Sequence, residues 1–184
     1  LITEGLERIR VIVQQVLQFR PKPFEPQAVA VRDVVEKSIA FLDHRAKGKG
    51  IEVRNQTTTD LPPVKGDPIE LQQAFLNVLM NAVDACKPNE GMVTVYAKSD
   101  AGSVRISVAD NGTGMDAKTL ARCRDPFFTT KDVGKGTGLG LAVANNILEN
   151  HGGKLEIESA PGRGTTISFI LPTTNGLQPP PPAK

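Results

Sequence analysis

Two stretches, Met92 to Lys98 and Ser103 to Asp110, alternate cleanly on either side of Asp100-Ala-Gly, which is the pattern of a β-hairpin. Elsewhere the chain trades strands for helices. A helix is expected from Val31 to Lys47, ended by Gly48 and Gly50, and a short strand from Ile51 to Gln56. Asp67 and Pro68 supply an N-cap and a first-turn proline for a long helix running to about Lys87. A third helix from Leu139 to Asn150 closes at Gly152-Gly153, with strands at Lys154 to Ser159 and Thr165 to Leu171 after it. Hairpins that interrupt strand–helix alternation favour an α/β two-layer sandwich, with a mixed sheet under three main helices, over a doubly wound parallel sheet.

The ends read differently from the middle. Ile2, Leu6, Ile9, Val13 and Val16 follow a 4-3-4-3 spacing, the seam of a helix that packs on another helix. Pro21, Pro23 and Pro26 stop that helix, so residues 1 to 20, a linker over 21 to 28 and a domain over 29 to 172 are separate units. Residues 173 to 184, with Pro179 to Pro182 in a row, are expected to be a disordered tail. The chain opens at Leu1 inside a helical pattern and reads as a fragment of something longer.

Composition narrows the class. Apolar residues make up 39% of the 184, with no Trp and one Tyr, so the core is aliphatic. A net charge of +2 with mixed signs offers no nucleic-acid stripe and no membrane-binding face. The short cluster of Arg45, Lys47 and Lys49 reads as a solvated helix end. Cys86 and Cys123 lack metal-site spacing and suit a reducing compartment, so the cytoplasm is expected. No apolar run approaches the roughly 18 residues that span a bilayer; any membrane anchor would belong to parts of the parent outside this chain.

Three stretches carry chemistry. Within the long apolar helix Gln73, Asn77 and Asn81 recur every four residues and so share a face. Such amides either bond neighbouring backbone or face a pocket and offer oxygen to a hard cation such as Mg2+. Asp110 follows Val104, Ile106 and Val108 in the same strand register, at the inner edge of the sheet, where a lone carboxylate needs a donor such as the amino edge of adenine. Gly112 and Gly114 come next and let the backbone approach a ligand. Finally Gly134-Lys135-Gly136-Thr137-Gly138-Leu139-Gly140 opens a helix, offering free N–H groups and the positive dipole end to phosphate. Between the last two stretches residues 111 to 138 form a long loop with one short helix.

In this order Asn77 and Asn81, Asp110-Asn-Gly-Thr-Gly, Asp125-Pro-Phe-Phe-Thr-Thr-Lys131 and Gly136-Thr-Gly-Leu-Gly140 resemble the N, G1, F and G2 boxes of histidine kinases. These belong to the wider ATPase superfamily shared with gyrase, MutL and the large heat-shock chaperone, and imply a Bergerat-type ATP-binding fold. The Pro-Phe-Phe-Thr-Thr-Lys form is similar to the subgroup of nitrogen-regulation and dicarboxylate-transport sensor kinases. The resemblance covers about residues 29 to 172, and residues 1 to 20 look like the end of the dimerisation hairpin.

The resemblance implies ATP and Mg2+ as ligands, with Asn81 on the metal and Asn77 assisting. It gives Asp110 the adenine amino group, Gly112 and Gly114 the close approach, and Thr165 a water-mediated contact with the base. Residues 112 to 138 become the ATP lid, in which Phe127 and Phe128, with Met115, either anchor the lid or simply pack in the core. Gly136, Thr137, Gly138, Leu139 and Gly140 wrap the triphosphate, with Lys131 and Lys135 as the cations in reach. The implied partners are a phosphoacceptor helical bundle, homodimeric in the parent, and a response-regulator receiver domain.

Two departures qualify the match. Hydrolysing members carry Glu where this chain has Asn77, and an amide cannot act as general base, so the pattern fits a kinase and not a gyrase-like ATPase. Many histidine kinases place Lys or Arg three residues after the second Asn; here stands Asp84, and the phosphate duty passes to a lid lysine. Neither His44 nor His151 lies in a phosphoacceptor motif, so the acceptor is expected outside this chain. His151 is expected to be structural. Two other readings compete: a nucleotide-sensing interaction module without phosphotransfer, and a serine-directed kinase of the anti-sigma type.

Overall fold

A computed structural model describes residues 26–100, 102–132 and 136–174. The seam helix expected over residues 1 to 20, Lys135, and the tail from residue 175 onward lie outside the described residues.

The chain runs β1 (Gln27–Val29), α1 (Val31–Gly48), β2 (Glu52–Asn55), β3 (Val64–Gly66), α2 (Pro68–Ala85), β4 (Met92–Asp100), β5 (Ser103–Asp110), α3 (Ala117–Arg122), α4 (Gly140–Asn150), β6 (Lys154–Ser159) and β7 (Thr165–Pro172). Five strands form one sheet in the order β2-β4-β5-β7-β6, parallel only between β2 and β4. This is the mixed sheet expected from the hairpin, and α1, α2 and α4 form the second layer.

Register explains the core. Val95 pairs with Val108, Val108 with Ile167, and Ile167 with Ile157, so one row of the sheet presents four aliphatics to the same face. Phe75 of α2 meets Phe169 of β7 with ring centroids 5.4 Å apart. Leu79 and Val83, one turn apart on α2, are fully buried. With no Trp available, these aliphatic contacts and the Phe pair carry the apolar burial that holds the layers together. Asp67 starts α2 as expected: its Oδ1 accepts from the Ile69 N–H at 2.7 Å and the Glu70 N–H at 3.2 Å.

Three local features differ from the sequence expectation. A small second sheet pairs β1 with β3, although residues up to 28 read as linker. Each strand is three residues long, too short for a period-2 pattern to register. Thr173 and Thr174 are not part of a detached tail: their N–H groups donate to the Gly102 and Pro63 carbonyls at 3.0 Å. Arg45 and Lys49 are not simply solvated, since both reach across to Asp84 of α2.

Candidate functional site: a cleft between α2, α4 and the end of β5

The three stretches singled out by sequence meet in space. Gly140, the first residue of α4, faces α2 so closely that a Cβ there would stand 3.8 Å from Cγ of Asn77 and from Nδ2 of Asn81. The amide face of one helix thus lies against the N-terminus of another. On the far side of the cleft the backbone after β5 packs on the end of α2. The Thr113 N–H donates to the Ala85 carbonyl at 3.2 Å. A Cβ on Gly112 would stand 2.6 Å from that same oxygen, so only glycine fits there.

Asp110 closes β5 at the inner face of the sheet. Its Oδ1 accepts from the N–H groups of Gly112 at 2.8 Å and Thr165 at 3.3 Å, while Oδ2 has no hydrogen bond among the described residues. Burial pushes the carboxyl above the ordinary aspartate range, and the two backbone hydrogen bonds only partly oppose it. The arrangement suits a carboxylate whose second oxygen receives a donor from a ligand. Thr165 is buried beside it and its Oγ1 lies 2.9 Å from the Ser159 hydroxyl.

Sequence reasoning missed Ser159. Its hydroxyl donates to the Gly164 carbonyl at 3.1 Å and accepts from the Met115 N–H at 2.8 Å, tying the root of the lid to the β6–β7 turn. Gly164 was also missed. At φ +76°, with its Cβ position 1.9 Å from the Asp110 carbonyl, it is the glycine that lets this turn close on the end of β5. Both residues look like ordinary turn chemistry in sequence, and only the pairing of β5 with β7 reveals their place. Asn111 braces the start of β4: its Oδ1 accepts from the Met92 N–H at 2.8 Å and its Nδ2 donates to the Glu90 carbonyl at 3.0 Å.

The lid departs from expectation. Phe127 is 63% exposed, so it neither anchors the lid nor packs in the core. It sits at φ +67°, uncommon for a bulky residue, and its N–H donates to the Gly138 carbonyl at 2.9 Å. Gly138, at φ +68°, passes so close to the Phe127 backbone that a Cβ would lie 2.4 Å from its carbonyl carbon. Phe128 is half-buried, with the Arg122 guanidinium 4.5 Å above its ring. Met115 is half-buried as well. Thr137 receives the Leu139 N–H at 3.4 Å, and Leu139 is fully buried.

Lys131 reaches the amide face. Its ammonium lies 2.9 Å from Asp84 Oδ2 and 3.4 Å from Asn81 Oδ1. An ammonium has no acceptor, so Asn81 presents its carbonyl oxygen to this cation. Asp84 also accepts from Lys49 at 2.6 Å and Arg45 at 2.8 Å on its other oxygen. Burial would push the Asp84 carboxyl up, but hydrogen bonds from Lys49, Lys131 and Arg45 outweigh it and hold the group well below the usual carboxylate range. A carboxylate so held is no general base for water.

No cluster of three or more His, Cys, Asp or Glu suited to a metal exists among the described residues. Amide oxygens, together with phosphate oxygens, are nevertheless a fitting donor set for Mg2+, and Asn81 already meets a cation. Two open grooves, of about 610 and about 350 Å3, lie elsewhere, between α4 and β6 and along α1. No helix among the described residues is long and apolar enough to cross a membrane.

Comparison with known proteins identifies the family. The family model for histidine kinase-, DNA gyrase B- and HSP90-like ATPases matches residues 66–175. The sensor histidine kinase ZraS of Klebsiella oxytoca is 38% identical over 174 residues, covering 94% of this chain and 37% of ZraS. The chain therefore spans little more than a third of that relative. Full-length ShkA, solved with AMPPNP, superposes with a TM-score of 0.83 at 28% identity, over 96% of this chain and 38% of ShkA. The catalytic domain of the histidine kinase ThkA gives 0.73 at 25% identity, over 82% of this chain and 97% of that domain. ThkA in complex with the response regulator TrrA gives 0.78 at 24% identity, over 94% of this chain and 49% of ThkA, a likeness of fold. The chain belongs to the histidine kinase-, DNA gyrase B- and HSP90-like ATPase family, as an ATP-binding catalytic domain of the sensor histidine kinase type.

Proposed function

We propose that this domain positions Mg2+-bound ATP so that its γ-phosphoryl passes to a histidine on a helical bundle outside the described residues, and later to a response-regulator aspartate. Asp110 Oδ2 receives the adenine amino group and Thr165 reaches the base through water, while Gly112 and Gly114, packed on the Ala85 and Ala160 carbonyls, hold the backbone after β5 beside it. Asn81, assisted by Asn77, supplies amide oxygen to the metal. Gly136, Thr137, Gly138, Leu139 and Gly140 surround the triphosphate, with Lys131 and Lys135 as its cations. Bound magnesium would neutralise charge on the phosphates. The protein's part is to orient the reacting groups and hold water unactivated.

The observation that carries this reading is Asp110, whose Oδ1 is taken by two backbone donors while Oδ2 has none among the described residues. Kinase chemistry is further supported by Asn77, an amide where a hydrolysing relative needs a base, and by Asp84, which three cations engage. The test mixes the chain with a separate phosphoacceptor bundle and radiolabelled ATP. Acid-labile label on the bundle is the expected result. Acid-stable label would point to a serine-directed kinase, and no label to a nucleotide-sensing module. Asn81→Ala is expected to abolish the dependence of ATP affinity on Mg2+; a variant still fully Mg2+-dependent would place the metal elsewhere.

A further inference from the structure

Asn77, Asn81 and Asp84 stand at i, i+4 and i+7 on α2 and so share one face. Asp84 is where that face changes character. Its Oδ1 takes Lys49 at 2.6 Å and Arg45 at 2.8 Å, both from the end of α1, and its Oδ2 takes Lys131 of the lid at 2.9 Å. The same Lys131 ammonium is 3.4 Å from Asn81 Oδ1. Its stem passes close to Gly136, where a Cβ would stand 3.2 Å from Lys131 Cδ. One lid cation therefore bridges a carboxylate and an amide oxygen while leaning on the first described glycine of the phosphate loop.

We propose that Lys131 is a built-in cation of the Asn81 oxygen that competes there with the divalent metal, and that Asp84 is the positioning residue that takes it up when it is displaced. This rests on the reading of Asn81 as a metal-facing amide. Magnesium binds oxygen at about 2.1 Å, and an ammonium cannot remain on the same oxygen beside it without strong repulsion. When the metal takes Asn81, Lys131 keeps Asp84 or turns to phosphate. When no metal is present, Lys131 spans Asn81 and the phosphates and does part of the metal's electrostatic work. Arg45 and Lys49 make the exchange possible. They stay on the other carboxylate oxygen, so Asp84 does not confront a triphosphate as a bare charge once Lys131 has moved.

The site thus treats the position three residues after Asn81 differently from a sequence that carries a cation there. Here the cation arrives from the lid, and the residue on α2 is its counter-charge. Lid and metal are coupled through one lysine, and removing Lys131 must alter the metal dependence of binding more than binding itself.

The test measures ATP affinity of the 184-residue chain by calorimetry in saturating Mg2+ and in EDTA. Lys131→Met and Lys131→Gln are expected to weaken ATP in EDTA by about tenfold, the worth of one charge-assisted hydrogen bond. With saturating Mg2+ the loss is expected to be at most about threefold, as for a screened ion contact. Asp84→Asn frees all three cations toward the phosphates and is expected to tighten ATP in EDTA several-fold. Adenosine, followed by chemical-shift titration, should bind all variants alike, which no general loss of the cleft would allow. Equal losses with and without Mg2+, weakened adenosine binding in the Lys131 variants, or weaker ATP binding by Asp84→Asn in EDTA would each overturn the proposal. A wild-type chain that binds ATP equally with and without Mg2+ would instead remove the metal from Asn81, and this inference with it.

Discussion

The Asp67 backbone N–H donates to Nε2 of His151 at 2.9 Å, joining the first turn of α2 to the last turn of α4 across 84 residues of sequence. Nδ1 of the same ring lies 2.7 Å from the Ile147 carbonyl. Nε2 accepts, so Nδ1 faces the Ile147 carbonyl as a donor, and the imidazole is held in one orientation between two backbone groups. The ring is 5% exposed and fills the space against Gly66, where a Cβ would come within 2.6 Å of its Cδ2. The two helices are therefore fastened at the end away from the proposed nucleotide site.

His151→Ala leaves the part-buried Asp67 N–H without its acceptor and opens a cavity, while the Ile147 carbonyl keeps the backbone N–H of residue 151 at 3.2 Å. A destabilisation of about 2–4 kcal/mol is expected from these two costs together, read as a lowered urea midpoint with unchanged slope. ATP affinity of the folded fraction should change little, because the ring is remote from Asn81 and Asp110. A variant as stable as the parent would show that the ring does not fasten the helices.

Asp110→Asn separates binding from folding. The amide oxygen can still accept from Gly112 and Thr165, which turns the NH2 group toward the place proposed for the adenine amino group, donor against donor. Nucleotide affinity is expected to fall by about 10- to 100-fold. Stability moves the other way. Burial raises the Asp110 carboxyl above its reference of 3.8, so the folded chain holds this proton to higher pH than the unfolded chain does. The ionised form therefore costs stability as pH climbs through the interval just above 3.8, and the cost persists at neutral pH. The asparagine variant should be equally or more stable at pH 7, and its stability should lack that falling limb. Chemical denaturation at a series of pH values checks the sign; a marked loss of stability at pH 7 would mean the carboxylate is needed by the fold itself.

Asp84 gives the opposite slope. Its folded carboxyl is held below the ordinary value by Lys49, Lys131 and Arg45 against the opposing effect of burial. Its contribution is fully present above the unfolded value near 3.8 and drains away as pH falls below it toward the folded value. Asp84→Asn is expected to lose about 1 kcal/mol at pH 7, a figure kept small because Arg45 and the two lysines are partly exposed and screened. Its acid-unfolding limb below pH 4 should be shallower than that of the parent, which circular dichroism at low salt can follow.

Much of this arrangement was legible in the sequence because it rests on local period and capping. The Asp67-Pro68 start, the Met92–Asp110 hairpin and the glycines before α4 are short-range signals, and each stands in the structure within a residue or two of its expected place. Asn77, Asn81 and Asp110 stood out as candidates because polar groups in apolar registers demand partners. What stayed hidden depends on distant pairing. Ser159 and Gly164 matter only because β7 lies beside β5, and β1 with β3 are too brief to announce themselves. The cations at the end of α1 look like solubilising charge until α2 brings Asp84 to them. Phe127 misled for another reason: an aromatic in a loop usually signals burial, yet here the backbone turn that lets Gly138 pass directs the ring outward.

Two glycines in one turn make a controlled comparison of backbone strain with steric contact. Gly162 has φ +71° and Gly164 φ +76°, so a side chain at either must adopt left-handed backbone. Around a Cβ at Gly162 nothing lies within 4 Å, whereas at Gly164 the Asp110 carbonyl would stand 1.9 Å away. Gly162→Ala should therefore cost only the left-handed backbone, about 1–2 kcal/mol, and leave nucleotide binding alone. Gly164→Ala must in addition push β5 and the β6–β7 turn apart, and because the Thr165 N–H holds Asp110 Oδ1 from the next residue, the displacement reaches the Asp110 carboxylate directly. It is expected to lower the melting temperature well beyond Gly162→Ala and to weaken ATP in the fraction that still folds. If both alanines cost the same and neither touches affinity, the turn yields without moving Asp110, and the close approach of Gly164 serves chain reversal alone.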